Sequence, residues 1–230
     1  IVVVSKPPAE EVAHDLEAYA ATLSTPVQFA LLGAGQPNLT QAAESVLSEL
    51  GRDVPEWPKW GGGQSAGSGL LRGLFSGGTL CDEAMILAQE ATGPVWSNIP
   101  LDESFRLDSS LEADGTVMID FGSDEMTQGR PHPMIDPTIR LEHLAKVSAD
   151  PKVRVVLMDV VLGHGADADP AGALAPAIRQ ARETAQADGR ELSFVLACVG
   201  TSGDPQDLAR QAETLAEAGA EVHLSNAQAT

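Results

Sequence analysis

The sequence predicts an α/β fold made of flavodoxin-like, doubly wound parallel sheets. Apolar runs of strand length alternate with stretches of helical periodicity along most of the chain. Several of these runs end in short loops rich in Gly and polar residues, and parallel sheets bind their ligands at that edge. The chain is 43% apolar but only 4% aromatic, so its core must be built from Val, Leu, Ile and Ala, which suits sheets covered by helices on both faces.

The first 50 residues predict a β-α-β-α unit. Strands are predicted for 1–4, where IVVV is a buried-strand pattern, and for 27–35 (VQFALLGAG). Helices are predicted for 9–22 and 39–50, and Asn38 is a candidate cap for the second. Because about 50 residues are too few for a complete domain, we expect residues 1–50 to be part of a first domain whose other strands lie upstream.

Residues 51–68 are predicted to form a linker. Pro, Gly and Ser cluster in this segment, and no hydrophobic period continues through it. Trp57 and Trp60 are expected to pack the linker against a domain.

Alternation resumes at Leu70 and predicts a second flavodoxin-like domain over residues 69–230. The predicted strands are 70–75, 94–97, 116–121, 153–161, 192–199 and 221–224. The predicted helices are 80–92, 135–149, 171–187 and 205–219. Because the connections between these alternating elements are short, the strands should be parallel with helices on both faces.

Charge and composition exclude several classes of function. The formal net charge is −19 and no Lys/Arg-rich run exists, which argues against nucleic-acid binding. No apolar stretch reaches the ~18 residues of a membrane span, and no signal peptide is visible. The two cysteines form no CxxC pair, so a structural zinc site has no framework. We therefore expect a cytoplasmic protein that uses neither a membrane nor nucleic acid.

The first candidate site is the loop Ser76-Gly77-Gly78-Thr79, which joins a predicted strand to a predicted helix. Glycine allows close approach of a ligand to the backbone, and the free N–H groups of a helix N-terminus favour phosphate. Thr79 can cap the helix. The spacing matches neither a P-loop nor the Rossmann GxGxxG pattern, and a tight turn with an ordinary cap is the alternative interpretation.

The second candidate site is the Pro-rich loop 129–137 (GRPHPMIDP). Two prolines restrict the backbone around His132, and Arg130 offers a planar, permanently charged fork for a carboxylate or phosphate. We interpret His132 and Arg130 as candidate catalytic residues. The alternative is a rigid surface loop in which Arg130 pairs with a nearby acidic residue. Asp136 is a candidate cap for the helix that follows.

Other candidates follow the later strands. Asp159 lies near the end of a very apolar run and therefore needs a partner, which could be a helix N-terminus, Arg130, or Mg²⁺ held through water. Gly163, Gly200 and Thr201 follow two strands and are candidate phosphate-binding or substrate-binding residues. Cys81 lies in the first turn of a helix, where it is either a nucleophile or a small buried apolar residue.

Two long segments, 71–84 (LRGLFSGGTLCDEA) and 129–137, resemble the FdrA family, which belongs to the superfamily of succinyl-CoA synthetase and other NDP-forming acyl-CoA synthetases. The resemblance extends over nearly the whole chain, through 150–153, 159–163, 200–205 and 225–229. It implies two flavodoxin-like domains of CoA-ligase type, preceded by a CoA-binding domain that these residues lack. It also implies that CoA is a cofactor, bound mainly by that upstream domain.

The sequence departs from the synthetase pattern at one point. In succinyl-CoA synthetase the catalytic His belongs to a Gly-His-Ala-Gly-Ala motif after the strand that corresponds to 27–35. Here the segment 36–40 (QPNLT) follows and contains no His. These residues also contain no nucleotide-grasping domain, so we do not expect self-contained ATP-dependent ligation.

The resemblance leaves three hypotheses for the function. The first is an acyl-CoA synthetase-like protein that handles an acyl phosphate and CoA. The second is a carbamoyltransferase component that acts on oxamate and carbamoyl phosphate in allantoin (purine) degradation. The third is a non-catalytic assembly or regulatory subunit. The expected partners are a small-molecule acid or acyl phosphate and further subunits, in a homo-oligomer or a hetero-complex.

Overall fold

The computed structural model describes residues 1–33, 35–62 and 68–230. Within these residues the chain alternates strands and helices, as the periodicity predicts. In chain order they are β1 (Val2–Val4), α1 (Glu10–Ala20), β2 (Gln28–Ala30), α2 (Leu39–Glu49), β3 (Lys59–Trp60), β4 (Leu70–Phe75), α3 (Gly78–Thr92), β5 (Val95–Ser97), β6 (Thr116–Asp120), α4 (Asp124–Thr127), α5 (Thr138–Ala149), β7 (Val153–Val161), α6 (Pro170–Ala187), β8 (Ser193–Val199), α7 (Leu208–Glu217), β9 (Glu221–His223) and α8 (Asn226–Ala229).

The strands form two sheets. β1 and β2 pair in parallel as a two-stranded sheet, and the other seven strands are ordered β3-β9-β8-β7-β4-β6-β5. All neighbours in the larger sheet are parallel except β3, which runs antiparallel to β9. The predicted α/β fold with a doubly wound, mostly parallel sheet is confirmed.

Helices cover both faces of the seven-stranded sheet because its side chains alternate between two apolar cores. In β8, Phe194, Leu196 and Cys198 belong to the core under α5, α6 and α7. Ala197, between them, belongs to the second core, which lies under α3 and α8. The continuous apolar runs of the sequence therefore reflect burial on both faces, as predicted.

Three helix starts differ from the prediction by two or three residues. α3 begins at Gly78 instead of 80, α5 begins at Thr138 instead of 135, and α7 begins at Leu208 instead of 205. Pro137 explains the second difference, since proline is tolerated at a helix start but not inside a helix. The N-cap is Pro137 and not Asp136; the Asp136 carboxylate lies one residue earlier and accepts a hydrogen bond from the Thr138 amide at 3.0 Å.

The predicted linker contains a strand. Lys59 and Trp60 form β3 at the edge of the large sheet, and Trp60 packs against its core. The indole of Trp57 donates to the Glu44 carboxylate at 2.7 Å. Pro and Gly on either side hid this two-residue strand, because periodicity needs a longer run to be visible. Residues 63–67 of the predicted linker, and Ala34 of the predicted strand 27–35, lie outside the described residues.

The N-terminal β-α-β-α unit exposes much of its apolar surface. Val2 and Val4 are exposed although IVVV is a buried-strand pattern, because β1 pairs only with β2. α1 has no buried residue. Contacts between this unit and the large sheet with its helices include the Leu39 amide, which donates to Glu83, the hydroxyls of Thr40 and Ser225, which are 2.6 Å apart, and Lys6 Nζ, which lies 4.0 Å from Asp82 Oδ2. Among the described residues, no helix has the length and apolarity needed to cross a bilayer.

Candidate functional site

The candidate site lies where the connections from neighbouring strands diverge. β4 and β6 are adjacent and parallel. The helix that follows β4, α3, covers one face of the sheet, and α5, which comes after β6, covers the other. This divergence opens a crevice at the carboxyl ends of the two strands, which is where open α/β sheets bind ligands.

A cleft of about 820 Å³ occupies this crevice. Four connections line it: those after β1, β4, β5 and β6. Its charged and amide side chains come from Lys6, Asn98, Arg106, Asp82, Asp120, Asp124 and Glu125. The N-terminal unit and the large sheet therefore both contribute to one site, and Lys6 is the contribution of the former.

The N-terminus of α3 opens into the cleft at Gly78. Its N-cap is Gly77, and no side chain among the described residues caps this end. A Cβ atom at Gly78 would lie 2.5 Å from Lys6 Nζ and 2.7 Å from Asp120 Oδ2. A side chain at this position would have to displace the Lys6 ammonium group and the Asp120 carboxylate. The backbone amides of the first turn, with their partial positive charge, favour an anion beside Lys6.

Asp120 is held in place by hydrogen bonds on both sides. The Asn98 side chain donates to the Asp120 carbonyl and accepts from the Asp120 amide, both at 2.9 Å. The Gly122 amide donates to Asp120 Oδ1 at 2.8 Å. Burial raises the pKa of the Asp120 carboxyl, while the hydrogen bond from the Gly122 amide and the charge of Lys6 lower it. Its Oδ2 oxygen, which faces Gly78, accepts no hydrogen bond from the described residues.

Asp82 provides a second buried carboxyl. It lies in the second turn of α3, with its Oδ2 4.0 Å from Lys6 Nζ. Burial raises the pKa of Asp82 to about 6, and Lys6 acts in the opposite direction. A carboxyl that titrates near neutral pH, beside an ammonium group, can take part in proton transfer.

The Pro-rich loop brings His132 next to Gly122, which lines the cleft. The Met134 amide donates to His132 Nδ1 at 3.2 Å, so in the neutral ring the proton resides on Nε2. A Cβ atom at Gly122 would lie 2.6 Å from that Nε2 and 3.1 Å from Asp120 Oδ1. His132 therefore presents an N–H next to Asp120. Arg130 does not accompany it: this residue is exposed, and no hydrogen bond or ion pair of its guanidinium is found within the described residues.

Asp159 finds its partner in the protein itself. Its carboxylate accepts from the amides of Ser76 and Gly77, from the Ser76 hydroxyl, and from the Arg140 guanidinium. Of the partners suggested from the sequence, Asp159 therefore has the amides at the start of α3. Its cationic partner is Arg140 and not Arg130. This arrangement does not fit Mg²⁺, because both carboxylate oxygens are fully buried and engaged. In the described part of the chain, no group of three His, Cys, Asp or Glu residues is placed to hold a metal ion.

The remaining predicted residues divide into two groups. Of the loop 76–79, Gly78 alone lines the cleft; the Ser76 and Gly77 amides donate to Asp159, and Thr79 is the second residue of α3. Gly163 and Thr201 do not line the cleft. The Gln206 side chain accepts from the Gly163 amide and donates to the Gly163 carbonyl. The Thr201 amide donates to the Asp204 carboxylate.

Two further predicted residues lie outside the cleft. A Cβ atom at Gly200 would lie 2.9 Å from the Leu162 side chain, so this glycine serves packing. Cys81 is fully buried, and burial raises the pKa of its thiol, which favours the interpretation as a buried apolar residue.

Sequence reasoning missed Lys6, Asn98, Asp82 and Asp120. A signal existed for two of them, since Asp120 ends the apolar run VMID and Lys6 comes shortly after IVVV. Both lie at strand ends, the same feature that identified Asp159. Asp82 and Asn98 carry no such signal, because their position in the cleft depends on how α3 and the loop after β5 pack.

Comparison with known proteins relates the chain to one family. The family model described as CoA-ligase matches residues 74–230. A curated relative, the uncharacterized protein YahF of Escherichia coli (strain K12), is 45% identical over 149 residues. That stretch is 65% of this chain and 29% of YahF, so the chain corresponds to less than a third of the relative's length.

Proposed function

The chain belongs to the CoA-ligase family, and we propose that its cleft binds an acyl phosphate whose acyl group is exchanged with CoA. One observation carries this proposal: the N-terminus of α3 is uncapped by side chains and opens into the cleft beside Lys6. Phosphoryl oxygens are the ligands that such a helix end and an ammonium group bind together.

Lys6 and the α3 N-terminus are the groups that support acyl transfer, in a cleft that four carboxyl groups also line. When the bond between the carbonyl carbon and the phosphate oxygen breaks, negative charge accumulates on the departing phosphate. The first-turn amides of α3 and Lys6 would stabilise that charge. The Asp82 carboxyl, with its pKa of about 6, is available to donate or accept a proton near neutral pH. The His132 Nε2–H is a hydrogen-bond donor next to Asp120.

CoA would supply the thiol that receives the acyl group. Among the residues that line the cleft, only Lys6 and Arg106 are cationic. Arg106 donates to the Glu103 carboxylate and to the Asn98 carbonyl. The cleft therefore fits the phosphoryl and thioester end of the reaction. It does not fit the phosphorylated nucleotide of CoA, which would need more free cationic groups.

A carbamoyl phosphate is the second candidate ligand, consistent with the resemblance to the FdrA family. Asp120 Oδ2 faces Gly78 and accepts no hydrogen bond from the described residues. The NH₂ group of a carbamoyl substrate could donate to this oxygen, whereas an alkyl acyl group has no donor to offer. This oxygen is the observation that favours carbamoyl transfer, with oxamate as the expected acceptor or product.

Phosphate release from defined substrates tests both candidates. The full chain is offered acetyl phosphate with and without CoA, and in parallel carbamoyl phosphate with and without oxamate. Phosphate release that depends on CoA, with formation of a thioester, supports the first candidate; release that depends on oxamate supports the second. If neither pair reacts, with or without partner subunits, the chain is an assembly or regulatory subunit.

Two variants test the Pro-rich loop. His132→Ala should lower the rate by roughly 100-fold if its Nε2–H takes part in proton transfer. Arg130→Ala is the matched variant two residues away, and an unchanged rate for it would remove Arg130 from the site. A rate unaffected by His132→Ala would remove the whole loop.

A further inference from the structure

Arg140 and Asp159 form a fully buried ion pair behind the candidate site. Arg140 is on α5 and Asp159 is on β7, and the two are 3% and 0% exposed. Arg140 Nη2 lies 2.9 Å from Asp159 Oδ1. Replacement of such a pair by apolar residues is often neutral for stability, so the need for a stable fold does not explain why it is present.

The carboxylate of this pair fixes the turn before α3. Asp159 Oδ1 accepts from the Ser76 amide at 2.8 Å and from the Ser76 hydroxyl at 3.0 Å. Asp159 Oδ2 accepts from the Gly77 amide at 2.7 Å. Asp159 therefore fixes the two peptide units that precede Gly78, the residue that lines the cleft.

The guanidinium of the pair has two effects. Arg140 Nη2 also donates to the carbonyls of Leu74 and Asp159, at 2.8 and 2.7 Å, so it joins the ends of β4 and β7 to α5. It also offsets the charge of Asp159. Without Arg140, a buried carboxylate at the N-terminus of α3 would repel an anionic ligand and compete with it for the helix dipole.

We propose that Arg140 and Asp159 are positioning residues, which fix the Ser76–Gly77 turn and neutralise its environment so that the α3 N-terminus can bind an anion. This inference rests on the proposed function, since it assumes that an anion binds there. Neither residue lines the cleft, so both act through the turn and not by touching the ligand.

The test uses the full chain, with inorganic phosphate and acetyl phosphate as probes. The double variant Arg140→Met/Asp159→Asn removes both charges together, because removal of one alone would leave a buried charge without a partner. Arg72→Met is the matched control. Arg72 is also a buried arginine, but it lies on β4 and donates to the carbonyls of Leu71, Ala113 and Gly115, at the end of that strand away from the cleft.

Two readouts separate a positioning role from a structural one. Isothermal titration calorimetry measures the Kd for phosphate, and amide hydrogen exchange measures the protection of Ser76 and Gly77. The double variant should weaken phosphate binding at least 10-fold and lose protection at these two amides. The Arg72→Met control should keep both properties.

The outcomes distinguish this inference from the proposed function. A parent chain that binds neither phosphate nor acetyl phosphate overturns the proposed function. A parent chain that binds phosphate, together with a double variant of unchanged affinity and unchanged protection, overturns the positioning role alone. If the double variant and Arg72→Met weaken binding equally, the pair has only a structural role and the inference is wrong.

Discussion

Two helix N-termini in this chain differ in what satisfies their amides. At α2, the Asn38 side chain accepts from the Gln41 amide and the Gln41 side chain accepts from the Asn38 amide, which is a complete capping box. The Leu39 amide donates to the buried Glu83 carboxylate at 2.6 Å. At α3, no side chain in the described part of the chain caps the helix, and the first residue, Gly78, lines the cleft.

The difference separates a structural helix end from one available to a ligand. Glu83 lies on α3, and its carboxylate binds at the N-terminus of α2. This contact joins the N-terminal unit to α3. Its second oxygen accepts from the Asn226 side chain at 2.7 Å. The end of α2 is therefore occupied by a carboxylate from another helix. At α3, the Asp159 carboxylate binds the Ser76 and Gly77 amides just before the helix, while Gly78 lines the cleft beside Lys6.

Glu83→Ala is expected to have the largest effect, on stability. It leaves the Leu39 amide and the Asn226 side chain without their acceptor, which should destabilise the fold by about 2–3 kcal/mol. Urea unfolding measures this loss. Glu90→Ala, an exposed position on the same helix, is the control and should cost less than about 0.5 kcal/mol. The Kd of folded Glu83→Ala for phosphate should stay within about twofold; a large loss would show that the two helix ends are not independent.

Gly78→Ala should do the reverse and impair ligand binding more than stability. The added methyl group would meet Lys6 Nζ and Asp120 Oδ2, so it displaces them from the helix end. Phosphate affinity should fall about 10-fold, or about 1.4 kcal/mol. Gly165→Ala is the matched control, because a Cβ atom there meets nothing within 4 Å. Unchanged affinity in Gly78→Ala would mean that the anion does not bind at this end.

Asp82→Asn should have a smaller effect that depends on pH. Burial raises the pKa of this carboxyl from 3.8 to about 6, so the folded chain holds a proton that the unfolded chain releases. The resulting stability is complete below about pH 4 and is lost as the pH rises through 6. The variant, which mimics the neutral carboxyl, should equal the parent at pH 4.

At pH 8 the Asp82→Asn variant should be more stable than the parent by roughly 1 kcal/mol, since solvent in the cleft that Asp82 lines screens its charge. Thermal unfolding at both pH values measures the difference. Asp15→Asn, on an exposed position of α1, removes the same charge and controls for net charge. A variant less stable than the parent at pH 8 would show that the attraction to Lys6 outweighs burial.

The elements of the fold could be predicted because each depends on local pattern. The apolar run 153–161 was predicted as a strand with those bounds, and β7 has them. β3 could not be predicted, since two residues carry no period, and its antiparallel pairing with β9 depends on a contact more than 150 residues away. Asp159 illustrates the same limit. Its need for a partner follows from the sequence, but its pairing with Arg140 depends on where α5 packs.

The candidate site was predictable only in part. The loop 76–79 is recognisable in the sequence as a Gly-rich strand end, and His132 as part of a Pro-restricted loop. In the structure, Gly78 and His132 both lie close to Asp120. Gly163 and Gly200 carry the same pattern, yet they lie at strand ends away from that crevice. Strand order decides which ends meet at the point of divergence, and local composition contains no information about it.

By itself, the sequence determined the alternation of strands and helices, the burial of the sheet on both faces, and the Asn38–Gln41 spacing that caps α2. These depend on residues within a few positions of one another. The tertiary structure alone decided that Glu83 occupies the end of α2, that Lys6 lies at the end of α3, and that Arg140 neutralises Asp159. These contacts join groups far apart in the chain, and their free energy depends on burial and distance, which only the packed fold sets.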